Sequence, residues 1–284
     1  AIELEPGHAA AHAGLAQAYY SLSSLHNAPR EVMPKAKAAA QRALELDETL
    51  AEAHVSSALV RAYYDWDWQG AEKEFKRALE LDPGLASSHE WHGLYLAHMG
   101  RSGEAATELK RAQELDPLSP RTNYFAAFPF YFARQYDRYI EQVRKVIELD
   151  PNFSFGPWGL GMAHTGQGRF GEAIEELQQT RRLDDSPQVL GDLGYAYAAS
   201  GKRREAHRMI QELKDLSRRR YVSSYDIATV YGALGEKDQA FEWLQRAYEA
   251  RDEQLTWLKV DPQLDPLRSD SRFASLLRKM GLSQ

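Results

Sequence analysis

The residues best suited to chemistry in this sequence are its clustered histidines. His89 and His92 lie three positions apart, and His98 lies two helical turns further along. Two imidazoles on one face of a helix could bind a metal ion, but neither a carboxylate nor a third histidine holds an obvious ligand spacing. His92 also falls on an apolar stripe, so packing and surface roles are favoured. We predict no metal site here.

Two further segments could bind phosphate. Residues 156–161 are rich in glycine, but they fall on the start and middle of a helical pattern, whereas a phosphate-binding loop needs a strand-to-helix turn. The triplet Arg218-Arg219-Arg220 follows another helical pattern, where cations complement the helix dipole, so a solvated helix end is favoured over a basic binding patch. No Gly-x-Ser-x-Gly or His-Glu-x-x-His motif occurs. We predict a chain that is not an enzyme and carries no cofactor.

The composition narrows the remaining possibilities. The 284 residues include no cysteine, which removes disulfides and thiolate chemistry and suits a reducing compartment, so a cytoplasmic location is expected. The formal net charge of −6 argues against direct binding of nucleic acid. The most apolar run, residues 124–133, is far shorter than the roughly 20 residues that a membrane-spanning helix needs. We therefore expect no membrane span.

The elements that position these residues follow a period of 34 residues. The phrase Ala78–Leu81–Asp82–Pro83 returns as Ala112–Leu115–Asp116–Pro117 and again, with valine for alanine, at positions 146–151. A column of larger apolar residues keeps the same step and is predicted to be buried: Phe75, Leu109, Val143, Leu177, Ile210 and Leu244. Two helical patterns in each period are typical of a helix–turn–helix solenoid.

The period divides the chain into seven predicted repeats, which span 9–51, 52–85, 86–119, 120–153, 154–186, 187–220 and 221–251. Residues 1–8 resemble the end of a preceding repeat, so the sequence is expected to be a piece of a longer protein. In repeat 1, residues 21–33 are predicted to be a loop insertion, with Pro34 opening the next helix. Pro129 is predicted to bend the first helix of repeat 4. Residues 252–284 are predicted to cap the array with a helix whose apolar stripe is Phe273, Leu276, Leu277 and Met280.

These residues resemble the tetratricopeptide repeat family. Its first small position reads Gly93, Ala127, Gly161, Gly194 and Ala228; its aromatic position reads Tyr19, Phe130, Tyr197 and Tyr231; its second-helix opener reads Ala36, Ala71, Ala105, Ala173, Ala206 and Ala240. Departures from the pattern are Leu59, Tyr139 and Asp185. The resemblance implies an all-α, right-handed superhelical solenoid. In the phrase Tyr64-Asp65-Trp66-Asp67-Trp68 and in residues 112–119 and 264–270, the chain also resembles, less specifically, the C-terminal repeat arrays of bacterial multidomain regulators.

In this family the first helix of each repeat lines the concave side, and here that side is aromatic and nearly uncharged. Members that clamp a peptide carboxylate carry Lys, Arg and Asn at positions where this sequence has residues such as Gln17, Val60 and Leu94, so that clamp is not expected. The predicted partner-binding residues are Tyr63, Tyr64, Trp91, Leu94, His98, Tyr124, Phe128, Tyr131, Phe132, Phe155, Trp158, Met162 and Tyr195. Some of these aromatic residues are expected to fill helix–helix interfaces instead.

The sequence thus predicts a non-catalytic module that binds a protein or peptide in an aromatic groove. The alternative is a ligand-sensing or regulatory domain of a larger kinase or transcriptional regulator, whose groove holds a small apolar ligand or a segment of the same protein. A homo-oligomer is compatible with either interpretation.

Overall fold

The computed structural model describes residues 5–25 and 27–282, and no strand occurs within them. The chain divides after Pro117 into an N-terminal unit and a C-terminal unit. The helices of the N-terminal unit are α1 (Ala9–Leu25), α2 (Pro29–Leu46), α3 (Ala51–Val60), α4 (Trp68–Leu81), α5 (Ala86–His98) and α6 (Ser102–Leu115). Consecutive helices pair: α1 packs on α2, α3 on α4 and α5 on α6.

The C-terminal unit contains the remaining helices. They are α7 (Pro120–Phe125), α8 (Phe128–Phe132), α9 (Tyr136–Leu149), α10 (Phe155–Gly166), α11 (Phe170–Leu183), α12 (Pro187–Ala199), α13 (Arg203–Leu216), α14 (Ser224–Ala233), α15 (Lys237–Ala250) and α16 (Ser271–Lys279). Two 3₁₀-helices, Glu253–Trp257 and Pro262–Leu267, lie between α15 and α16.

The predicted apolar column forms the core of both units. Phe75, Leu109, Val143, Leu177 and Leu244 are completely buried, and Ile210 is buried as well, which confirms the prediction. Small residues of the preceding helix allow this close packing. A methyl group on Gly93 would lie 2.6 Å from Cγ of Leu109, and one on Gly161 would lie 2.6 Å from Cγ of Leu177. The family's small position therefore brings each helix pair into contact.

One turn position recurs with the period and has a left-handed backbone. Its residues are Trp66, Gly100, Arg134, Gly168, Gly201 and Gly235, at intervals of 33 or 34. Positive φ values suit glycine, since a side chain there meets the backbone at a cost of about 1 kcal/mol or more. Trp66 (φ 58°) and Arg134 (φ 59°) accept that strain. A large residue in a glycine position points to a use for its side chain.

Two local predictions differ from the structure. The loop predicted for residues 21–33 is wrong, because α1 continues to Leu25, α2 begins at Pro29, and Pro34 lies inside α2 rather than at its start. The extra residues thus lengthen both helices of the first pair. At Pro129 the helix is broken rather than bent, and α7 and α8 are separate. Because proline lacks an N–H and fits the first turn of a helix, it starts α8 instead of interrupting a longer helix.

The last helix packs against the final helix pair of the C-terminal unit. Asp270 accepts a hydrogen bond from the backbone N–H of Arg272 and begins α16. Phe273, Leu276 and Met280 are buried, and Leu277 is half-buried. The helix lies along α15, where the Arg272 guanidinium stacks 4.3 Å from the Phe241 ring centroid.

Candidate functional site

The densest group of aromatic side chains lies on the first helices of the C-terminal unit. We call it the aromatic face, and it comprises Tyr124, Phe128, Tyr131, Phe132, Phe155 and Trp158. Phe128 is its centre: the Tyr124 ring lies edge-on at 5.4 Å between centroids, Phe132 lies at 5.6 Å and Tyr131 at 6.4 Å. Such tilted and edge-on pairs are the preferred geometry of aromatic rings. The break between α7 and α8 places Tyr124 and Phe128 on successive short helices that share this face.

The aromatic face is covered by the chain's own C-terminal residues. The Trp257 ring lies 6.1 Å from that of Phe128 and 6.0 Å from that of Phe132. We call residues 253–267, which include both 3₁₀-helices, the tail segment. Its four leucines, Leu255, Leu258, Leu264 and Leu267, are completely buried. The tail segment is therefore packed into the C-terminal unit.

Polar contacts fix the position of the tail segment. The Arg134 guanidinium donates two hydrogen bonds to the Asp265 carboxylate, at 2.6 and 3.1 Å, and a third to the carbonyl of Phe132 at 2.8 Å. This is the arginine that holds the left-handed turn position where most repeats have glycine. Its bidentate contact with the tail segment is a physical reason to retain the strain.

A second anchor is Asp192 on α12. Its carboxylate accepts hydrogen bonds from the Trp158 indole N–H and from the Gln263 side-chain amide. Asp261 of the tail segment accepts hydrogen bonds from the Tyr225 hydroxyl at 2.6 Å and from the Gln263 backbone N–H at 2.9 Å. Gln263 thus links the two carboxylates.

Burial dominates the electrostatics of these carboxylates. Loss of solvation raises the pKa of Asp192 to about 6 and that of Asp261 to about 6, although the hydrogen bonds that each accepts oppose the rise. Loss of solvation also raises the pKa of Asp226 on α14 and of Asp252. Because the charged form is penalised by burial, these groups bind protons more readily in the folded chain.

The predicted partner-binding residues fall into two groups. Tyr124, Phe128, Tyr131, Phe132, Phe155, Trp158, Met162 and Tyr195 belong to the C-terminal unit, where Phe155, Trp158 and Tyr195 are half-buried and the others are buried. Tyr63, Tyr64, Trp91, Leu94 and His98 belong to the N-terminal unit, where Tyr64 and Trp91 are half-buried and the others are buried. Many of these residues therefore pack against other rings, which agrees with the expectation that some of the aromatic residues fill helix–helix interfaces. Their role in partner binding stays a prediction.

The N-terminal group forms its own ring cluster. Tyr63 lies 5.3 Å from Tyr20, 6.4 Å from Trp91 and 5.7 Å from His98 between ring centroids. Burial lowers the pKa of His98 to about 3, so its imidazole is neutral. The cluster joins side chains from α1, α5 and the π-helical turn Arg61–Asp65.

Three other histidines, His54, His89 and His92, contact a glutamate of the following helix. Nδ1 of His89 lies 2.6 Å from the Glu108 carboxylate, and its Nε2 lies 3.1 Å from the carbonyl of Pro83. One repeat earlier, His54 makes the equivalent two contacts, one with a carboxylate and one with a backbone carbonyl. His92 is buried, with Nδ1 3.5 Å from Glu108. Within the described part of the chain, no three His, Asp or Glu side chains are grouped to hold a metal ion.

Comparison with known families identifies the repeat. Tetratricopeptide repeat profiles match residues 58–120 and residues 222–254. The chain contains tetratricopeptide repeats. Its repeats make it a protein–protein interaction module. A search of curated proteins finds no match.

Several solved structures are similar. PilF of Pseudomonas aeruginosa is 20% identical with a TM-score of 0.54, and the match covers 73% of this chain and 91% of PilF. PilW, described as a widely conserved type IV pilus biogenesis factor, is 17% identical with a TM-score of 0.58, over 73% of this chain and 92% of PilW. A tetratricopeptide repeat protein of Parabacteroides merdae is 11% identical with a TM-score of 0.62, over 95% and 98% of the two chains. At these identities the likeness shows the fold alone.

Sequence reasoning predicted a C-terminal cap but missed the contact of the tail segment with the aromatic face and the anchors that hold it. Trp257, Asp261 and Asp265 lie where the tetratricopeptide period has ended, so no periodic position marks them. Arg134 did carry a signal, because it interrupts a column in which glycine recurs every 33 or 34 residues.

In the residues that the structure describes, no helix has the length and apolar content to cross a bilayer.

Proposed function

We propose that the chain binds a partner polypeptide on the aromatic face of its C-terminal unit, in competition with its own tail segment, and catalyses no reaction. The observation that carries this proposal is that the face already holds a polypeptide. The Trp257 ring packs at a steep angle against the rings of Phe128 and Phe132, and Asp265 pairs with Arg134. A surface that binds one segment through ring contacts and charged hydrogen bonds offers them to another segment of matching chemistry.

The tail segment indicates which chemistry the partner needs. Phe128 and Phe132 form a slot for an aromatic anchor, and aromatic residues are the commonest binding hot spots. Arg134 selects a carboxylate, which the tail supplies eight residues after its tryptophan. Asp192 accepts a hydrogen bond from an amide. We expect a partner with an aromatic residue followed, about eight residues later, by an acidic one.

The tail segment is a strong competitor. Each of its four buried leucines contributes about 1.5–3 kcal/mol by leaving water. A peptide of micromolar affinity gains about 8 kcal/mol in total. A partner must therefore bring several apolar anchors. The alternative in which the groove holds a segment of the same protein is supported by these contacts, whereas the regulatory role, the cytoplasmic location and binding at the N-terminal ring cluster stay predictions.

The test uses the tail segment as its own probe. The full chain carrying Trp257→Ala keeps its fold but loses one anchor, and a fluorescent peptide of residues 252–268 is titrated against it. We expect saturable binding, because the peptide restores the missing ring contact. Replacing tryptophan by alanine in the peptide should weaken binding about 30-fold, the effect of losing a hot spot worth about 2 kcal/mol.

Two controls locate the binding site. Phe128→Ala in the W257A chain should weaken the binding of the peptide. Arg246→Ala, an exposed change on α15, should leave the binding unchanged. If a folded W257A chain fails to bind the wild-type peptide, as judged by circular dichroism and titration, the aromatic face is not a polypeptide-binding site.

A further inference from the structure

The tail joins the last repeat through a single strained residue. Helix α15 ends at Ala250, and Arg251 adopts a left-handed backbone with φ 58°. The backbone N–H of Asp252 then bonds to the carbonyl of Ala247 at 2.9 Å, which closes the helix end. Glycine is the usual residue in this position, because a side chain on a left-handed residue meets the neighbouring backbone. The docked tail thus keeps its connection under strain.

The contacts of the tail would be the same if another copy supplied it. They join residues far apart in sequence: Arg134 to Asp265, Asp192 to Gln263, and Tyr225 to Asp261. None of these pairs requires both residues to belong to one molecule. Short connections under strain favour the exchange of such elements between copies.

We propose that two copies of this chain exchange residues 252–282, so that each tail covers the aromatic face of the other copy and the pair forms a closed dimer. The inference rests on the proposed function, since it requires the face to bind polypeptide supplied by another molecule. A second copy is the favoured occupant because its tail brings every contact that a foreign peptide would have to imitate, including the four buried leucines. Exchange also releases the strain at Arg251.

A charge exchange between Arg134 and Asp265 tests the proposal. Both side chains are partly exposed, at 39% and 43%, so substitution there does not disturb the core. Arg134→Asp places two carboxylates together within one molecule, and Asp265→Arg places two cations together. In an exchanged pair of the two variants, both faces regain an oppositely charged tail. Aspartate also tolerates the left-handed backbone at position 134.

The two variants are purified separately, mixed at high concentration and warmed so that the tails open. Native mass spectrometry then measures the fractions of monomer, homodimer and heterodimer. We expect the mixture to contain about tenfold more heterodimer than either variant alone contains homodimer. The double variant Arg134→Asp with Asp265→Arg restores opposite charges both within one molecule and between copies, so it should form dimer to the same extent as the wild type, which serves as the matched control. A mixture with no more dimer than its components would overturn the proposal.

Substitutions at the hinge give a second measurement on the otherwise unchanged chain. Arg251→Gly removes the backbone strain and should lower the dimer fraction, whereas Arg251→Val increases the strain and should raise it. Equal dimer fractions in both variants would contradict the role of the hinge. If the tail peptide binds the W257A chain but no variant exchanges, the exchange is wrong and the proposed function stands. If the peptide fails as well, both are wrong.

Discussion

The contact between Gly93 and Leu109 allows a quantitative test of how the repeats pack. A methyl group on Gly93 would lie 2.6 Å from Cγ of Leu109, 3.1 Å from Cδ2 and 3.2 Å from the backbone nitrogen. The side chain cannot retreat freely because Leu109 is completely buried. Gly93→Ala gains about 0.5–1 kcal/mol of helix propensity, but overpacking costs about 1–3 kcal/mol. We expect a net loss of about 1 kcal/mol in the free energy of unfolding, within a range of about 0–2.5 kcal/mol.

The reverse change creates space at the same contact. Leu109→Ala removes a buried side chain and should cost about 2–5 kcal/mol, depending on how far the cavity collapses. In the double variant the methyl group added at position 93 enters that cavity. The combined loss should therefore be smaller than the sum of the single losses by about 1 kcal/mol or more.

Urea denaturation followed by circular dichroism measures all three variants. Gly103→Ala is the control, since nothing lies within 4 Å of the added methyl group, and it should be neutral or slightly stabilising. Gly161 and Leu177 repeat the geometry in the C-terminal unit and should give the same coupling. If the losses at Gly93 and Leu109 are additive, the two residues do not constrain each other and this account of the packing is wrong.

The pH dependence and the tail offer further tests. The folded chain holds protons on Asp192 and Asp261 up to about pH 6, whereas the ordinary pKa of these groups is 3.8. Acidification from pH 8 to pH 5 should therefore shift the stability difference between Asp192→Asn and the wild type in favour of the wild type. Thermal melts at each pH measure this difference. The contact between His89 and Glu108 raises the pKa of His89 and lowers that of Glu108 to about 2. The contribution of this contact to stability is therefore fully present between about pH 4.5 and 6.5 and declines on either side. His89→Gln should lower stability most inside that window, and a loss that is constant with pH would contradict the ion pair. Deletion of residues 252–284 should lower the melting temperature and cause association seen by light scattering, because it uncovers the aromatic face; an equally stable monomer would show that the tail contributes little.

The fold could be predicted because the packing positions recur. Phe75 and Leu109 occupy equivalent places in successive repeats, and the same burial recurs wherever the column does. The lengths of α1 and α2 could not be predicted in this way, since residues 21–33 have no counterpart in other repeats and their serines and proline locally favour a loop. Helix packing supported helical structure against those local preferences.

Only part of the candidate site could be predicted from the sequence, for a related reason. The aromatic side chains of Phe128 and Trp158 have a helical spacing, so their common face could be inferred. The residue that covers Phe128, Trp257, lies in a 3₁₀ segment without periodicity, and its contact depends on a turn of the chain that only the tertiary structure defines. The pairing of Arg134 with Asp265 is equally non-local.

The distance in sequence between the aromatic face and its cover has a consequence during synthesis. Arg134 and Asp265 are 131 residues apart, and ribosomes add about 5–20 residues per second. For roughly 7–26 seconds, each newly made chain therefore presents Phe128 and Phe132 without Trp257. In a polysome the neighbouring nascent chains carry the same uncovered face, and a finished tail emerging nearby meets it at high local concentration. The order of translation thus gives this protein a regular interval in which its aromatic rings are accessible to chaperones, partners and sister chains.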